Sequence, residues 1–289
     1  MNSNIETSLR PLWDAILAVY QEYARLCERH KLRHYLAFGS VLGAVRHKGF
    51  IPWDDDLDVV MPRQDYDVFW EIAEKELPSF FRPVTVGNTR EYMHDFGKIM
   101  ETRIDVIEDV AARSKYALPQ GIFIDVFPVD GCFTSPFCRF GRRLASYAQI
   151  SRKKALLDST DTSFIGMLVR QVGHLLRPFF PDLKTARDFL LYNDKRLSYP
   201  LFGSTKICAL GNEEFFTGRI GSRRMPCSWY GDPAIMEFEG LKVPVPSHWH
   251  EYLTTYYGDY MILPPVEKRC VPTHGDEPEA PWKYGPTGV

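Results

Sequence analysis

Apolar residues recur at helical spacing from about residue 8 to 30: Leu9, Leu12, Trp13, Ile16, Leu17, Tyr20, Tyr23, Ala24 and Cys27, with Arg and Glu between them. That spacing predicts an amphipathic helix packed over a sheet. The period then changes. Tyr35 to Phe38 is a short apolar run that reads as a buried strand, Gly39-Ser40 breaks it, and Val41 to Val45 is compatible with a helix. After Gly49 and Pro52 comes a block of carboxylates, Asp54, Asp55, Asp56 and Asp58, running into Val59, Val60 and Met61 as a second strand. Arg63 to Leu77 returns to helical period and stops at Pro78.

Four further strands are expected at Pro83–Val86, Phe96–Met100, Asp105–Glu108 and Ile122–Phe127. From Pro136 the character turns helical. Phe137–Leu157 is basic and amphipathic, Phe164–Phe180 is strongly apolar with Arg170, His174 and Arg177, and Leu183–Leu197 is amphipathic again. The middle helix reads as core, with a membrane surface as the alternative setting. Beyond Pro200 short strands return, first Lys206–Leu210, then a hairpin turning at Glu239-Gly240. A helix over Ser247–Tyr256 ends at Gly258, and the tail is rich in Pro and Gly. The sum is a mixed α+β fold over residues 1–289 read as one catalytic domain. Its core comprises about 30–130 and 200–275, with a helical insertion over about 136–200.

Composition narrows the function classes. A net charge of -2 gives no support for nucleic-acid binding. Six cysteines lie scattered without a CxxC pair, which argues against a structural zinc site. The first residues lack a signal-peptide pattern, and no apolar run approaches the ~18–20 residues of a membrane span. These features point to a cytoplasmic protein with reduced thiols, either free or at the inner face of the membrane.

The candidate chemistry sits between His34 and Pro62. Asp56 and Asp58 are two apart, so on a strand their side chains leave the same face. Two such carboxylates repel unless a positive charge lies between them, and a divalent cation suits that place. Asp125, within GIFIDVFPVDG, reads as a lone acid in an otherwise buried strand, which is costly unless it is paired or metal-bound. It is therefore the expected third ligand, with pairing to a nearby Lys or Arg as the alternative. Three carboxylates suit Mg²⁺ or Mn²⁺, and a Gly-Ser turn opening a helix offers N–H groups and a hydroxyl to phosphate oxygens. Strand, Gly-Ser, helix and a strand bearing Asp-x-Asp together form a phosphoryl- or nucleotidyl-transfer site.

The run GSVLGAVRHKGFIPWDDDLDVVMPR resembles the signature of the LicD family of phosphocholine transferases, which is related to the fukutin-type sugar-phosphate transferases. The later segments FGKIM, GIFIDVFPVDG, YYGDYMILPP and RCVPTHG resemble LicD blocks in the family's order, so the similarity spans roughly residues 30–275. It implies a nucleotidyltransferase-type fold and transfer of phosphocholine from CDP-choline to a hydroxyl of a cell-surface glycan (teichoic acid, lipopolysaccharide or a lipid-linked precursor), releasing CMP. By the same resemblance Gly39 and Ser40 match the phosphate-binding turn, Asp56 and Asp58 the metal pair, and Asp125 a third carboxylate or base. Arg46 and Lys98 would neutralise the pyrophosphate. Tyr257, Gly258, Asp259, Arg269, His274 and Gly275 would form a wall of the donor or acceptor pocket.

Plainer roles stand beside these. Asp54 and Asp55 can stand behind the metal ligands or form an exposed acidic turn, Arg46 can complement its own helix end, and Lys98 can be a solvated strand residue. A choline cage would draw on Trp53, Tyr92, Trp229, Trp249, Tyr256 or Tyr257. The rival readings are a nucleotidyltransferase and an inactive glycan- or nucleotide-binding module.

Overall fold

The computed structural model of the chain describes residues 2–89, 92, 94–105, 119–132, 164–179, 182, 184, 188, 202–210, 224–269 and 285–286. Helix α1 (Asn2–His30) starts earlier than its apolar stripe predicts and ends in two basic residues, Arg29 and His30, which complement its C-terminal dipole. Its stripe of Leu12, Ile16, Val19, Tyr23 and Leu26 is buried in the main core.

The principal sheet is mixed. β1 (Tyr35–Leu36), β2 (Asp58–Pro62), β6 (Ile122–Gly131), β4 (Gly97–Glu101) and β3 (Phe81–Val84) lie side by side in that order. β7 (Ile207–Leu210) joins the far end of β6 and carries β8 (Met225–Pro226). β2 and β6 run parallel, and the other described pairs of this sheet are antiparallel. β5 (Ile104–Asp105) pairs separately with β11 (Gly285–Pro286). After Gly131 the next described strand of this sheet is β7, where Cys208 faces Gly131. Three helices follow their predicted positions: α2 (Phe38–His47), α3 (Arg63–Glu76) and, later, α5 (Trp249–Tyr257). Between them, α4 (Phe164–Leu175) is the described part of the central helical region. The expected helices over 137–157 and 183–197 lie outside the described residues, or nearly so.

The junction of β1 and α2 differs from expectation. The strand begun at Tyr35 stops at Leu36, and Phe38 is already the first residue of α2. Phe38 takes a left-handed φ of 43°, and its N–H donates to the Tyr252 hydroxyl at 3.0 Å. A tertiary partner thus turns the chain where apolar pattern alone continues the strand. The hairpin of β9 (Ala234–Phe238) and β10 (Leu241–Val245) turns as expected on Glu239 and Gly240, both at positive φ.

Strand β6 separates core from site. Ile122, Ile124 and Val126 are buried with α1 and α3, whereas Phe123, Asp125 and Phe127 on the opposite face are half-buried. Asp125 is therefore not a lone acid in a strand buried on both sides, as its flanking residues suggested. At the end of β6, Asp130 accepts two 2.8 Å hydrogen bonds from Arg63 at the start of α3, both residues being buried. This pair ties α3 to the strand that bears Asp125.

Removing one partner of such a pair leaves an uncompensated buried charge. Asp130→Ala is expected to destabilise the chain by about 3–5 kcal/mol, read by equilibrium chemical denaturation. A second outcome concerns His34, which packs edge-on against Tyr23 at 5.2 Å and whose pKa burial pushes down to about 4. The unfolded chain binds this proton at higher pH than the folded one. Stability is therefore complete above the ordinary histidine range and falls as pH drops toward about 4. Comparing denaturation midpoints at about pH 7 and about pH 4.5 should show a smaller loss in His34→Phe than in the parent chain.

Candidate active site

Three adjacent strands lay a row of charge across the half-open face. Asp58 on β2 is in register with Asp125 on β6, which is in register with Lys98 on β4. The Lys98 ammonium lies 3.2 Å from Asp125 Oδ1 and 3.2 Å from the centroid of the Phe123 ring. Lys98 is 7% exposed, so it is no solvated strand residue. The alternative raised for Asp125, pairing with a basic residue, is realised here beside its proximity to Asp58.

Asp56 lies just before β2, in the loop that carries Asp54 and Asp55. Asp54, Asp55 and Asp56 each present a ligand oxygen within 4.8 Å of the others, a grouping able to hold a metal ion. Asp55 is buried and Asp54 and Asp56 are half-buried, so this stretch is not an exposed acidic turn. Burial, then Asp56, Asp125 and Asp54, push the Asp58 carboxyl well above its ordinary range, with Lys98 opposing. Burial, then Asp56 and Asp55, do the same to Asp54. Asp58 thus feels Asp56, Asp125 and Asp54, whereas the described carboxylates grouped closely enough to share an ion are Asp54, Asp55 and Asp56 and not the expected trio of Asp56, Asp58 and Asp125. All the donors are oxygens, the set preferred by Mg²⁺ or Mn²⁺.

The loop is held by its backbone. The Trp13 indole donates to the Asp54 carbonyl at 2.8 Å, and the Asp125 N–H donates to the Leu57 carbonyl at 3.2 Å. The Ala37 N–H donates to the Asp58 carbonyl at 2.9 Å, while the Asp58 N–H donates to Ser40 Oγ at 2.9 Å. Ser40 is 4% exposed, and the contact it shows is with the backbone of a site carboxylate. Gly39 lies against the same acids: a Cβ there would stand 3.0 Å from Asp54 Oδ2.

A basic group faces the other end of α2. Arg46 donates to the Tyr260 carbonyl at 2.9 Å and to His47 Nε2 at 2.9 Å, so it serves a neighbouring segment and not only its own helix end. Burial and the Arg269 guanidinium hold Arg46 below its ordinary value, and burial with Arg46 pushes His47 down to about 4. Arg269 donates to the Pro264 carbonyl at 2.8 Å and lies 5.8 Å over the Trp53 ring, whose other neighbour is His47. Trp53 immediately precedes Asp54, so the basic and acidic groups adjoin. Tyr257 is 42% exposed and contributes to the field at Arg46. Gly258 ends α5 at a φ of 66°, and Asp259 is exposed on the turn beyond it. His274 and Gly275 lie outside the described residues.

Sequence reasoning missed a group of aromatic rings beside Asp125. Phe127 meets Phe38 at 5.5 Å and Phe96 at 4.5 Å, and Phe38 meets Tyr256 at 5.1 Å. Of the six cage candidates, Tyr256 meets Phe38, Tyr92 meets Phe96 at 6.3 Å and Tyr257 meets Tyr256 at 6.1 Å. The available signal was the alternation Phe123, Asp125, Phe127, which puts both rings on the face of the acid.

Residues 31–143, which contain this constellation apart from Trp13, α5, Tyr260 and Arg269, match the family model described as LicD/FKTN/FKRP, nucleotidyltransferase domain. The chain is also 28% identical over 115 residues to an uncharacterized protein of Rickettsia prowazekii, covering 39% of this chain and 41% of that one. A longer similarity is to the lipopolysaccharide cholinephosphotransferase LicD of Haemophilus influenzae, 30% identical over 257 residues. Because that similarity covers 87% of this chain and 90% of the relative, the chain belongs to the LicD family.

Proposed function

We propose that this protein transfers phosphocholine from CDP-choline to a hydroxyl of a cell-surface glycan. The observation that carries the reading is the convergence of Asp54, Asp56, Asp58 and Asp125 on one half-open sheet face, in a family that includes a lipopolysaccharide cholinephosphotransferase. The acceptor is a glycan hydroxyl, and the leaving group is CMP.

The residues divide the work. Asp125 takes the proton of the acceptor hydroxyl, whose oxygen then bonds to the phosphorus bearing choline as the bond from that phosphorus to the bridging pyrophosphate oxygen breaks. CMP departs with the electron pair. Asp56 and Asp58, with Asp54 beside them, would hold Mg²⁺ or Mn²⁺, which supplies charge neutralisation to the pyrophosphate. Lys98 orients Asp125, and Arg46 and Arg269 present positive charge to the departing phosphate. The rings of Phe38, Phe96, Phe127 and Tyr256 offer π faces to the trimethylammonium group. Ser40 acts on the site through the Asp58 backbone.

The family model's nucleotidyltransferase description supports a second reading, in which the nucleotide part is transferred. Mass spectrometry of products decides between them. Incubation with CDP-choline, Mg²⁺ and glycan is expected to give CMP and a phosphocholine-modified acceptor, whereas a cytidylylated acceptor overturns the assignment. CDP-ethanolamine, CDP-glycerol and CDP-ribitol in the same screen establish the head group.

Asp58→Asn is expected to lower turnover at least about hundredfold while the fold persists, since it removes one charge from a crowded set. Retention of activity would remove Asp58 from the metal set. Ser40→Ala leaves the Asp58 N–H without its acceptor, and a stability loss of about 1–3 kcal/mol is expected in denaturation. Its kinetic effect should fall on kcat. An effect confined to KM would return Ser40 to direct phosphate binding.

A further inference from the structure

The apolar pattern of residues 164–180 suggested a core helix, but α4 shows its large side chains to solvent. Leu168, Val172 and Leu175 are 58%, 42% and 77% exposed, and Phe179 just beyond the helix is 72% exposed. Spacings of four and three residues put Leu168, Val172 and Leu175 on one stripe. Gly173 is buried, which marks the side turned toward protein. The exposed stripe lies on a different side of the helix from Gly173. No helix among the described residues is long and apolar enough to cross a membrane.

The polar positions indicate what the stripe meets. Residues 164–180 contain Arg170, His174 and Arg177 and no Asp or Glu, and Arg177 is exposed. No acid within these residues answers their positive charge. An anionic surface answers it directly. An exposed apolar stripe, a basic polar face and a length too short to span are together the signature of a helix lying in a lipid interface.

We propose that α4 docks the protein on an anionic bilayer, with Leu168, Val172, Leu175 and Phe179 at the acyl-chain boundary and the basic residues at headgroup level. This is independent of the reaction assigned above. The rim of the active site carries a separate exposed apolar run, Met261, Ile262, Leu263 and Val266, which provides a control surface.

The test is sedimentation of the full chain with vesicles of phosphatidylcholine alone and of phosphatidylcholine with about 30% phosphatidylglycerol. Binding to the anionic vesicles is expected to be at least about tenfold tighter and to weaken as salt is raised. The double variant Leu168→Glu, Leu175→Glu is expected to lose at least about tenfold in binding, with its circular dichroism unchanged. Arg177→Glu, which leaves the stripe intact, is expected to reduce the preference for anionic lipid. Four results overturn the proposal: no binding of the parent chain to anionic vesicles, or binding indifferent to these variants. The others are loss of binding through Met261→Glu, Ile262→Glu in place of the helix variant, or a light-scattering dimer that the helix variant dissociates and that ignores vesicles. The helix variants and Arg177→Glu alter no active-site residue, so their product formation on a soluble acceptor reads the transferase assignment separately.

Discussion

Carboxylates crowded onto a partly buried sheet face repel one another and are poorly solvated, and the rest of this structure answers that constraint. Asp58 shows it most strongly, its carboxyl driven well above the ordinary range first by burial and then by Asp56, Asp125 and Asp54. Left to side-chain energetics, these acids would separate or turn to water. Instead, register fixes two of them: Asp58 and Asp125 are opposite one another on parallel strands, and Lys98 continues the row. The sheet brings the charges together, and one ammonium partly offsets them.

Backbone contacts complete the restraint. Ser40 Oγ, the Ala37 N–H, the Trp13 indole and the Asp125 N–H all bind main-chain groups of residues 54–58. This main-chain anchoring fixes where the carboxylate oxygens of Asp54, Asp55 and Asp56 converge. The buried Arg63–Asp130 pair plays the corresponding part at the other end of β6, binding α3 to the strand. It is a structural pair within a stretch whose other acid, Asp125, belongs to the site. Neighbouring acids on one strand thus have different jobs, decided by which face and which partner each meets.

That difference explains what could be read from the sequence. Helical and strand periods give α1, α3, the β9–β10 hairpin and α5, because their signals are local and repeat several times. The proximity of these acids was legible for the same reason, since Asp56 and Asp58 lie close in sequence and Asp125 is conspicuous among apolar neighbours. Asp54 was not distinguished from a solvated turn, because its burial depends on Trp13 and on the missing side chain at Gly39, both distant in character from an acidic run. The end of β1 was misplaced because a hydroxyl from Tyr252, more than two hundred residues away, sets the conformation of Phe38. Helix α4 shows a further limit. A strongly apolar helix reads as core by composition, while its exposure depends on whether anything in the chain covers it.

The short helix α2 links these observations. Its N-terminus carries the positive end of the helix dipole, and Gly39 there lets Asp54 approach to a distance that a side chain would contest. Its other end carries Arg46, which reaches across to the Tyr260 carbonyl and shares its surroundings with Arg269. At one end a glycine admits an acid; at the other a basic side chain gathers the C-terminal segment. Trp53, adjacent to Asp54 in the chain, faces both His47 and Arg269, so the two ends are also connected outside the helix. The Gly-Ser turn therefore has a structural reason that precedes any ligand. Glycine makes room for the carboxylate, and serine fixes the strand that bears the next one.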